Sequence, residues 1–350
     1  MSLHPDTVYF LVPGDITTRT GGYRYDRCII DGLRARGWQV NLICLAGDYP
    51  YPNSQQLAQA AEQLARIPDD SLTLIDGLAY GVMPEQLAAH ARRLQLIALV
   101  HHPLALETGN SEQQAVHLRQ LESAALRHAR RIITTSPSTA EELRKYDVQE
   151  SLICAVQPGT EQAALATGSG SEHCKLLCVA TLTPRKGHDV LLRALSCVQD
   201  LPWHLSCVGS TERDAVTAQR LYDQRMALGI DQRVSFMGEV DESTLSLQYQ
   251  QADLFVLASF HEGYGMVFDE AIARGLPIIA TDAGAIADTI PSGCGLLVPP
   301  GDACALTNAL RHYLQDASLR TELKNNARLA RDRLRSWDLA CEEFENALTW

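Results

Sequence analysis

Short apolar runs rich in β-branched residues alternate along the chain with longer segments whose apolar residues recur at helical spacing. This alternation is typical of parallel strands joined by crossover helices. In the first half it predicts strands at 8–12, 40–45, 72–75, 96–100, 132–135 and 152–156. In the second half it predicts strands at 176–180, 204–208, 234–236, 254–258, 278–281 and 295–298. The expected fold class is therefore α/β, with a doubly wound parallel sheet in each half.

Residues 163–173 interrupt this alternation with a run of Ala, Thr, Gly and Ser that cannot build a core and that predicts a linker. At roughly 150 residues per domain, a chain of 350 residues has room for two domains. We expect a first domain at 1–165, a second at 166–333 and a terminal helix at 334–350. Two doubly wound domains in tandem leave a cleft between them, which the carboxyl ends of their strands can line.

The composition restricts the classes of partner that the protein is expected to bind. Apolar residues make up 46% of the chain and charged residues 21%, which excludes wholesale disorder. Acidic residues outnumber basic ones by 42 to 30, so the formal net charge is -12. Nucleic acid or an anionic membrane as the main partner would require clustered Lys and Arg. We therefore expect no nucleic-acid partner and at most a peripheral membrane contact, whereas a small anionic ligand is compatible with this charge.

The cysteines bear on the cellular compartment. All ten are scattered, mostly as single residues in apolar runs, and no Cys-x-x-Cys occurs. This pattern predicts buried free thiols in a reducing cytoplasm. No Asp-x-Asp is present, and no His or Cys cluster has the spacing of a metal site. No stretch approaches the ~18 apolar residues of a membrane span. We expect a cytoplasmic protein without a metal or a cofactor.

The most informative segment begins Ser-Phe-His-Glu-Gly-Tyr-Gly at 259–265, after a predicted strand and before a predicted helix. Gly263 and Gly265 allow the backbone to approach a ligand. The amides at the helix start, those of Gly265, Met266 and Val267, offer a seat for phosphate oxygens. The loop therefore predicts an anion-binding turn.

Two glutamates flank this turn. Glu262 in the loop and Glu270 in the helix can accept hydrogen bonds from hydroxyls at the two ends of a ligand. An anion seat between carboxylates suits a sugar nucleotide. The alternative is a tight strand-to-helix turn with two solvated glutamates. A dinucleotide fingerprint is excluded, because Phe268 occupies the position of its third glycine.

The spacing of Glu262 and Glu270 resembles the Glu-x7-Glu signature of retaining glycosyltransferases with the GT-B fold, family four or glycosyl transferases group 1. The resemblance continues through Ala-Thr-Asp-Ala-Gly at 280–284 and the segment 295–302. It implies two Rossmann-like domains facing a central cleft, with the donor on the second domain and the acceptor on the first. It also implies that Tyr264 belongs to the donor-binding loop and that the terminal helix crosses back to the first domain.

A basic loop, Thr-Pro-Arg-Lys-Gly-His, occupies 183–188 just before a predicted helix. Cations near a helix start attract a diphosphate, although an isolated basic pair is often only a solvated loop. The resemblance assigns diphosphate binding to Lys186. Where most relatives carry the partner arginine, this chain has Thr181. Either Arg185 substitutes for that arginine, or the leaving group is stabilised by one cation fewer.

The resemblance also assigns residues outside these loops. Gly21 and Gly22, which lead into a helix, match a glycine pair facing the donor phosphates. Met237 lies in the loop against which relatives pack the nucleotide base. His101 and His102 end a predicted strand, and relatives carry one histidine there that contacts the transferred sugar or the reacting centre. Spacing does not decide between the two; His101 is favoured slightly because relatives often place a polar residue and then Pro after theirs.

The resemblance implies an enzyme of carbohydrate biosynthesis. It would transfer a hexose from a UDP- or GDP-type sugar to a hydroxyl of a saccharide, lipid or small molecule, with retention of configuration and without a metal. The alternatives are a sugar-nucleotide 2-epimerase-like enzyme and a non-catalytic sugar-nucleotide binding subunit. A phosphorylase of this fold would need a pyridoxal lysine and a longer chain. The base, the hexose and the acceptor stay open.

Overall fold

The computed structural model describes residues 7–107 and 109–349. It divides into two compact units. The first unit runs to Gly159 and resumes at Arg335, and the second unit is Thr160–Leu334.

The first unit is built on a parallel six-stranded sheet in the order β2-β1-β3-β4-β5-β6. Its strands are β1 Thr7–Pro13, β2 Gln39–Leu45, β3 Leu72–Asp76, β4 Gln95–Val100, β5 Arg131–Thr134 and β6 Ile153–Ala155. Its helices up to β6 are α1 Gly21–Ala35, α2 Ser54–Arg66, α3 Gly77–Tyr80, α4 Pro84–His90, α5 Glu112–Leu126 and α6 Pro137–Leu143. The central strands are almost continuously buried, as expected of a parallel sheet covered on both faces.

The second unit contains a second parallel six-stranded sheet in the order β12-β11-β10-β7-β8-β9. Its strands are β7 Cys174–Val179, β8 Trp203–Val208, β9 Val234–Phe236, β10 Leu254–Leu257, β11 Ile278–Thr281 and β12 Gly295–Val298. Its helices are α7 His188–Ser196, α8 Ala215–Ala227, α9 Glu242–Gln251, α10 Met266–Ala273, α11 Ile286–Thr289, α12 Ala303–Gln315 and α13 Ala317–Ala330. Both predicted parallel sheets are confirmed.

The last helix, α14 (Trp337–Leu348), belongs to the first unit. Its buried face includes Phe344 and Leu348 and packs against α1. The indole Nε1 of Trp38 donates to a carboxylate oxygen of Glu345 over 2.9 Å. The C-terminal segment is thus integrated into the first sheet's helical layer.

The predicted linker has no helix or strand up to Cys174, and it is packed on the second unit. Ala166 is buried, and its N–H donates to the carbonyl of Arg274 over 2.8 Å. The part of this segment around Ala166 is therefore packed, because small residues fit closely against a neighbouring helix end.

In the part of the chain that the structure describes, no helix combines the length and the apolar character needed to cross a membrane.

Candidate active site

The site in the second unit lies at the carboxyl ends of β7 and β10, which are neighbours in the sheet. The loop after β10 runs to Gly265, whose φ of 90° places it in the left-handed region before α10 begins. No side chain caps this helix. Its first amides, at Met266 and Val267, are therefore left without a capping side chain, as the anion-binding turn requires.

The loop after β7 carries the basic residues in a short 3-10 turn, Pro184–Lys186, followed by Gly187. Gly187 has a φ of 62°, and a Cβ there would lie 1.9 Å from the carbonyl oxygen of Ala258. The N–H of Phe260 donates to the carbonyl of Arg185 over 2.7 Å. Close packing and this backbone bond fix the basic loop against the glutamate loop.

Glu262 is the meeting point of the two loops. Lys186 Nζ lies 2.6 Å from Glu262 Oε1, and Arg185 Nη1 lies 3.3 Å from Glu262 Oε2. Ser259 Oγ also donates to Oε1 over 2.6 Å. The glutamate side chain is only 7% exposed. We call Lys186, Arg185 and Glu262 the cationic triad.

The neighbouring cations change the pKa of Glu262 more strongly than its burial does. Burial alone would raise the pKa of Glu262, but Lys186 and Arg185 lower this pKa to about 2. The carboxylate is therefore ionised throughout the physiological range. Glu262 is a buried ion-pair partner rather than a solvated turn residue, and the sequence-based alternative of two solvated glutamates is wrong for this residue.

Glu270 lies on α10 and accepts a hydrogen bond from the Tyr249 hydroxyl over 2.9 Å. Its neighbour Asp269 is buried and accepts from the Tyr264 hydroxyl over 2.6 Å. Burial raises the pKa of Asp269 to about 6 despite that bond. The Tyr264 side chain therefore braces the start of α10 through Asp269.

Met237 follows β9, the outermost strand on its side of the sheet. Its N–H donates to the carbonyl of Cys207 over 2.9 Å, and Gly238 follows it. Two strands lie between β9 and β10, and one strand lies between β9 and β7.

The first unit contains a second constellation of charges. His101 follows β4, and its Nε2 lies 3.1 Å from Asp26 Oδ1 and 3.3 Å from Asp76 Oδ2. Asp76 ends β3, which pairs with β4, and Asp26 lies one turn after Gly22 on α1. A Cβ at Gly22 would lie 3.4 Å from the His101 ring. We call Asp26, Asp76 and His101 the acidic triad.

The two histidines that sequence spacing left open have different surroundings. Burial would lower the pKa of His101, but the charges and hydrogen bonds of Asp26 and Asp76 raise it to about 10. Burial raises the pKa of Asp26 to about 6. His102 instead pairs with Glu107, its Nε2 lying 2.9 Å from a carboxylate oxygen. His101 thus lies against two carboxylates, whereas His102 lies against one.

Gly21 opens α1, and Thr20 caps the helix by accepting from the N–H of Tyr23 over 3.2 Å. Gly22 lies next to the His101 ring. The predicted glycine pair and the favoured histidine are therefore close together in the first unit.

Two groups of metal-type ligands come together that sequence spacing did not reveal: the acidic triad and a second group in the second unit. Cys178 on β7, Cys207 on β8 and His188 on α7 are all buried, and their ligand atoms lie within 4.8 Å of one another. A hydrogen bond from Cys207, and also His188 and Lys186, lower the pKa of Cys178 to about 5. The expectation that no such cluster exists overlooked residues on three separate elements. The expectation of buried thiols is wrong for Cys44, Cys197 and Cys304, which are exposed.

Two doubly wound parallel units define the GT-B architecture, and solved structures match it along the chain. Sucrose-phosphate synthase from Thermosynechococcus elongatus superposes with a TM-score of 0.82 at 23% identity, covering 97% of this chain and 98% of that one. Anabaena HepE in complex with UDP and glucose gives a TM-score of 0.72 at 18% identity, over 97% and 99% of the two chains.

Sequence comparison finds a family match in the second unit. Residues 173–316 match the family described as Glycosyl transferases group 1. A lipopolysaccharide core biosynthesis mannosyltransferase, LpcC, of Rhizobium leguminosarum bv. viciae is 31% identical over 173 residues, 48% of each chain. A D-inositol 3-phosphate glycosyltransferase of Corynebacterium diphtheriae is 27% identical over 233 residues, 61% of this chain and 54% of that one. The chain thus spans about half the length of these curated relatives. The family resemblance read from the Glu-x7-Glu spacing is confirmed.

Proposed function

We propose that the chain is a retaining glycosyltransferase that moves a hexose from a UDP- or GDP-type sugar to a hydroxyl acceptor. The observation that carries this proposal is the convergence of Lys186 and Arg185 on buried Glu262, beside the uncapped start of α10. Similarity to a mannosyltransferase and to an inositol phosphate glycosyltransferase supports the same class of reaction.

The second unit would hold the donor. Lys186 and Arg185 would bind the diphosphate together with the α10 amides, and Arg185 would take the part of the arginine absent at Thr181. Glu262 keeps both cations extended and ready, because an ion pair already fixes their side chains. Glu270 would accept hydrogen bonds from the ribose, and Met237 would lie near the base.

The chemistry would consist of one exchange at the anomeric carbon of the sugar. The bond from that carbon to the diphosphate oxygen breaks, and a bond to the acceptor oxygen forms on the same face. The departing phosphate oxygen takes the acceptor proton, so no protein base is required. Charge developing on the phosphate would be stabilised by the two cations and the helix amides without a metal.

The first unit would bind the acceptor, and His101 would contact the bound ligand. A saccharide, a lipid or a small molecule with a free hydroxyl would serve as acceptor. The free cysteines of the described chain fit a reducing, cytoplasmic setting for this reaction. Any membrane contact would be peripheral.

A donor panel tests the proposal. The protein is incubated with UDP-glucose, UDP-galactose, UDP-N-acetylglucosamine, GDP-mannose and GDP-fucose, with and without excess EDTA. We expect slow release of nucleoside diphosphate from at least one donor, undiminished by EDTA. Conversion of the donor into its 2-epimer, or binding without any release, would favour the alternative functions. Activity that disappears in EDTA and returns only with Mn²⁺ or Mg²⁺ would contradict the metal-free account.

A further inference from the structure

We propose that Asp26 and Asp76 are positioning residues of the transferase site, which together hold the Nε2–H of His101 and thereby present its Nδ1 to the ligand. This inference deepens the proposed function and rests on it. Neither aspartate is part of the sequence motifs discussed above.

The geometry around Nε2 decides which ring nitrogen carries a hydrogen. Both neighbours of Nε2 are carboxylate oxygens, at 3.1 and 3.3 Å. An ionised carboxylate only accepts hydrogen bonds, so Nε2 must be the donor. A histidine held in this way has one tautomer when it is neutral, as in a catalytic dyad of aspartate and histidine.

Both aspartates are themselves fixed. Asp76 uses Oδ1 to accept from the N–H of Leu78 over 2.8 Å at the start of α3, which leaves Oδ2 for the histidine. Asp26 is completely buried, and its Oδ2 has no hydrogen-bond partner among the described residues. Burying a carboxylate oxygen without a hydrogen-bond partner is costly, so a role for Asp26 is expected beyond packing.

The other nitrogen of His101 points away from the carboxylates. In the described ranges Nδ1 makes no hydrogen bond, and it is not among the buried unpartnered atoms. The His101 side chain is 18% exposed, and the Tyr25 ring packs edge-on against it, with ring centroids 5.5 Å apart. Nδ1 is therefore the nitrogen that a ligand can reach.

The surroundings also select the protonation state. The titratable groups facing the ring are Asp26, Asp76 and Tyr25, and Arg27 acts on Asp26 from the next position of α1. Two carboxylates against one imidazole keep the ring protonated at neutral pH. Nδ1–H would then donate to an oxygen of the sugar or the acceptor, which agrees with a reaction in which the leaving phosphate takes the proton.

Nitrogen NMR tests the geometry directly. The full chain is labelled with ¹⁵N-histidine, and the His101 signals among the eleven histidines are assigned by their loss in His101→Gln. We expect Nε2 to stay protonated throughout the titration. Asp26→Asn and Asp76→Asn should each lower the His101 titration midpoint by about 1 pH unit or more. Glu122→Gln is the matched control, since Glu122 is an equally buried carboxylate of this unit that bonds Leu104 instead.

Kinetics tests the positioning role. Using the donor on which the wild type is active, Asp26→Asn and Asp76→Asn should lower kcat about tenfold or more and leave the donor KM nearly unchanged. Adding Asp26→Asn to His101→Ala should cause no further loss, because the aspartate acts through the histidine. Glu122→Gln should retain wild-type kcat.

A midpoint that neither aspartate variant moves, or a Nδ1–H tautomer with bare Nε2, would overturn the proposal. Additive losses in the double variant would also overturn it, because they would show that Asp26 acts independently of His101. The NMR result requires no turnover, so it is separable from failure of the proposed function, which would appear as a wild type inactive on every donor.

Discussion

The two units carry charge triads of opposite composition. In the first unit a histidine lies between two aspartates, and in the second a glutamate lies between a lysine and an arginine. With every group ionised, the acidic triad carries a net charge of +1 - 2 = -1 and the cationic triad carries +2 - 1 = +1. Each triad draws members from the carboxyl ends of two neighbouring parallel strands. The topology of the two units is therefore alike at these positions, and the side chains determine the sign of the charge.

The difference in sign predicts a division of labour. We expect a diphosphate to be attracted to the cationic triad, where one surplus positive charge lies beside uncapped helix amides. We expect the acidic triad to oppose a phosphate and to favour neutral hydroxyl groups. The following changes would break or sharpen this comparison.

Removing a cation from the second unit should have the largest effect. Lys186→Ala is expected to lower turnover of the donor about 100-fold, as is typical for loss of one preorganised donor to a developing negative charge. Steady-state release of nucleoside diphosphate measures this. Lys175→Ala is the control, because Lys175 lies on the same sheet but bonds Gln251. Wild-type kinetics in Lys186→Ala would remove the residue from the site.

Removing the central acid should affect both catalysis and stability. Glu262→Gln leaves two cations without their buried counter-charge, so we expect a loss of about 3 kcal/mol in the free energy of unfolding. Turnover should also fall, because negative charge near a developing oxocarbenium ion stabilises it. Denaturant unfolding and kcat are the measurements. Glu322→Gln changes an exposed glutamate of the same unit and should leave both quantities unchanged.

Glu270→Gln should affect binding more than chemistry. An amide oxygen still accepts a bond from a ribose hydroxyl, but without charge, so the donor KM should rise about tenfold at nearly constant kcat. If Glu262→Gln raised KM and Glu270→Gln lowered kcat, the roles assigned to the two residues would be reversed. Both residues would still belong to the site.

The triads should lose their stabilising effect at opposite ends of the pH scale. The pKa of Glu262 is depressed to about 2, so its contribution is present above its unfolded pKa and is lost as pH falls from about 4.5 towards 2. The pKa of His101 is raised to about 10, so its contribution is present below about 6.5 and is lost as pH rises towards 10. Thermal unfolding of wild type, Glu262→Gln and His101→Gln across pH should show this. A Tm difference that is constant with pH for either pair would contradict the assigned charge state.

The strands were predictable because each is a local apolar run bounded by polar turns, as at β10 and β11. The glutamate loop was predictable because its glycines and carboxylates are adjacent in sequence. Asp26 and Asp76 were not, since α1 and β3 meet His101 only after folding. Asp76 did leave one signal, a charged residue closing an apolar strand. The cluster of Cys178, His188 and Cys207 was hidden for the same reason.

Calorimetric binding of UDP and of GDP tests the division of labour most directly, because neither ligand carries the hexose that is to be transferred. The account predicts that wild type binds one of them, that Lys186→Ala and Arg185→Ala each weaken this binding about tenfold or more, and that Asp76→Asn and His101→Gln leave it unchanged. Undiminished binding in Lys186→Ala, or an equal loss in the two first-unit variants, would contradict the assignment of the diphosphate to the cationic triad.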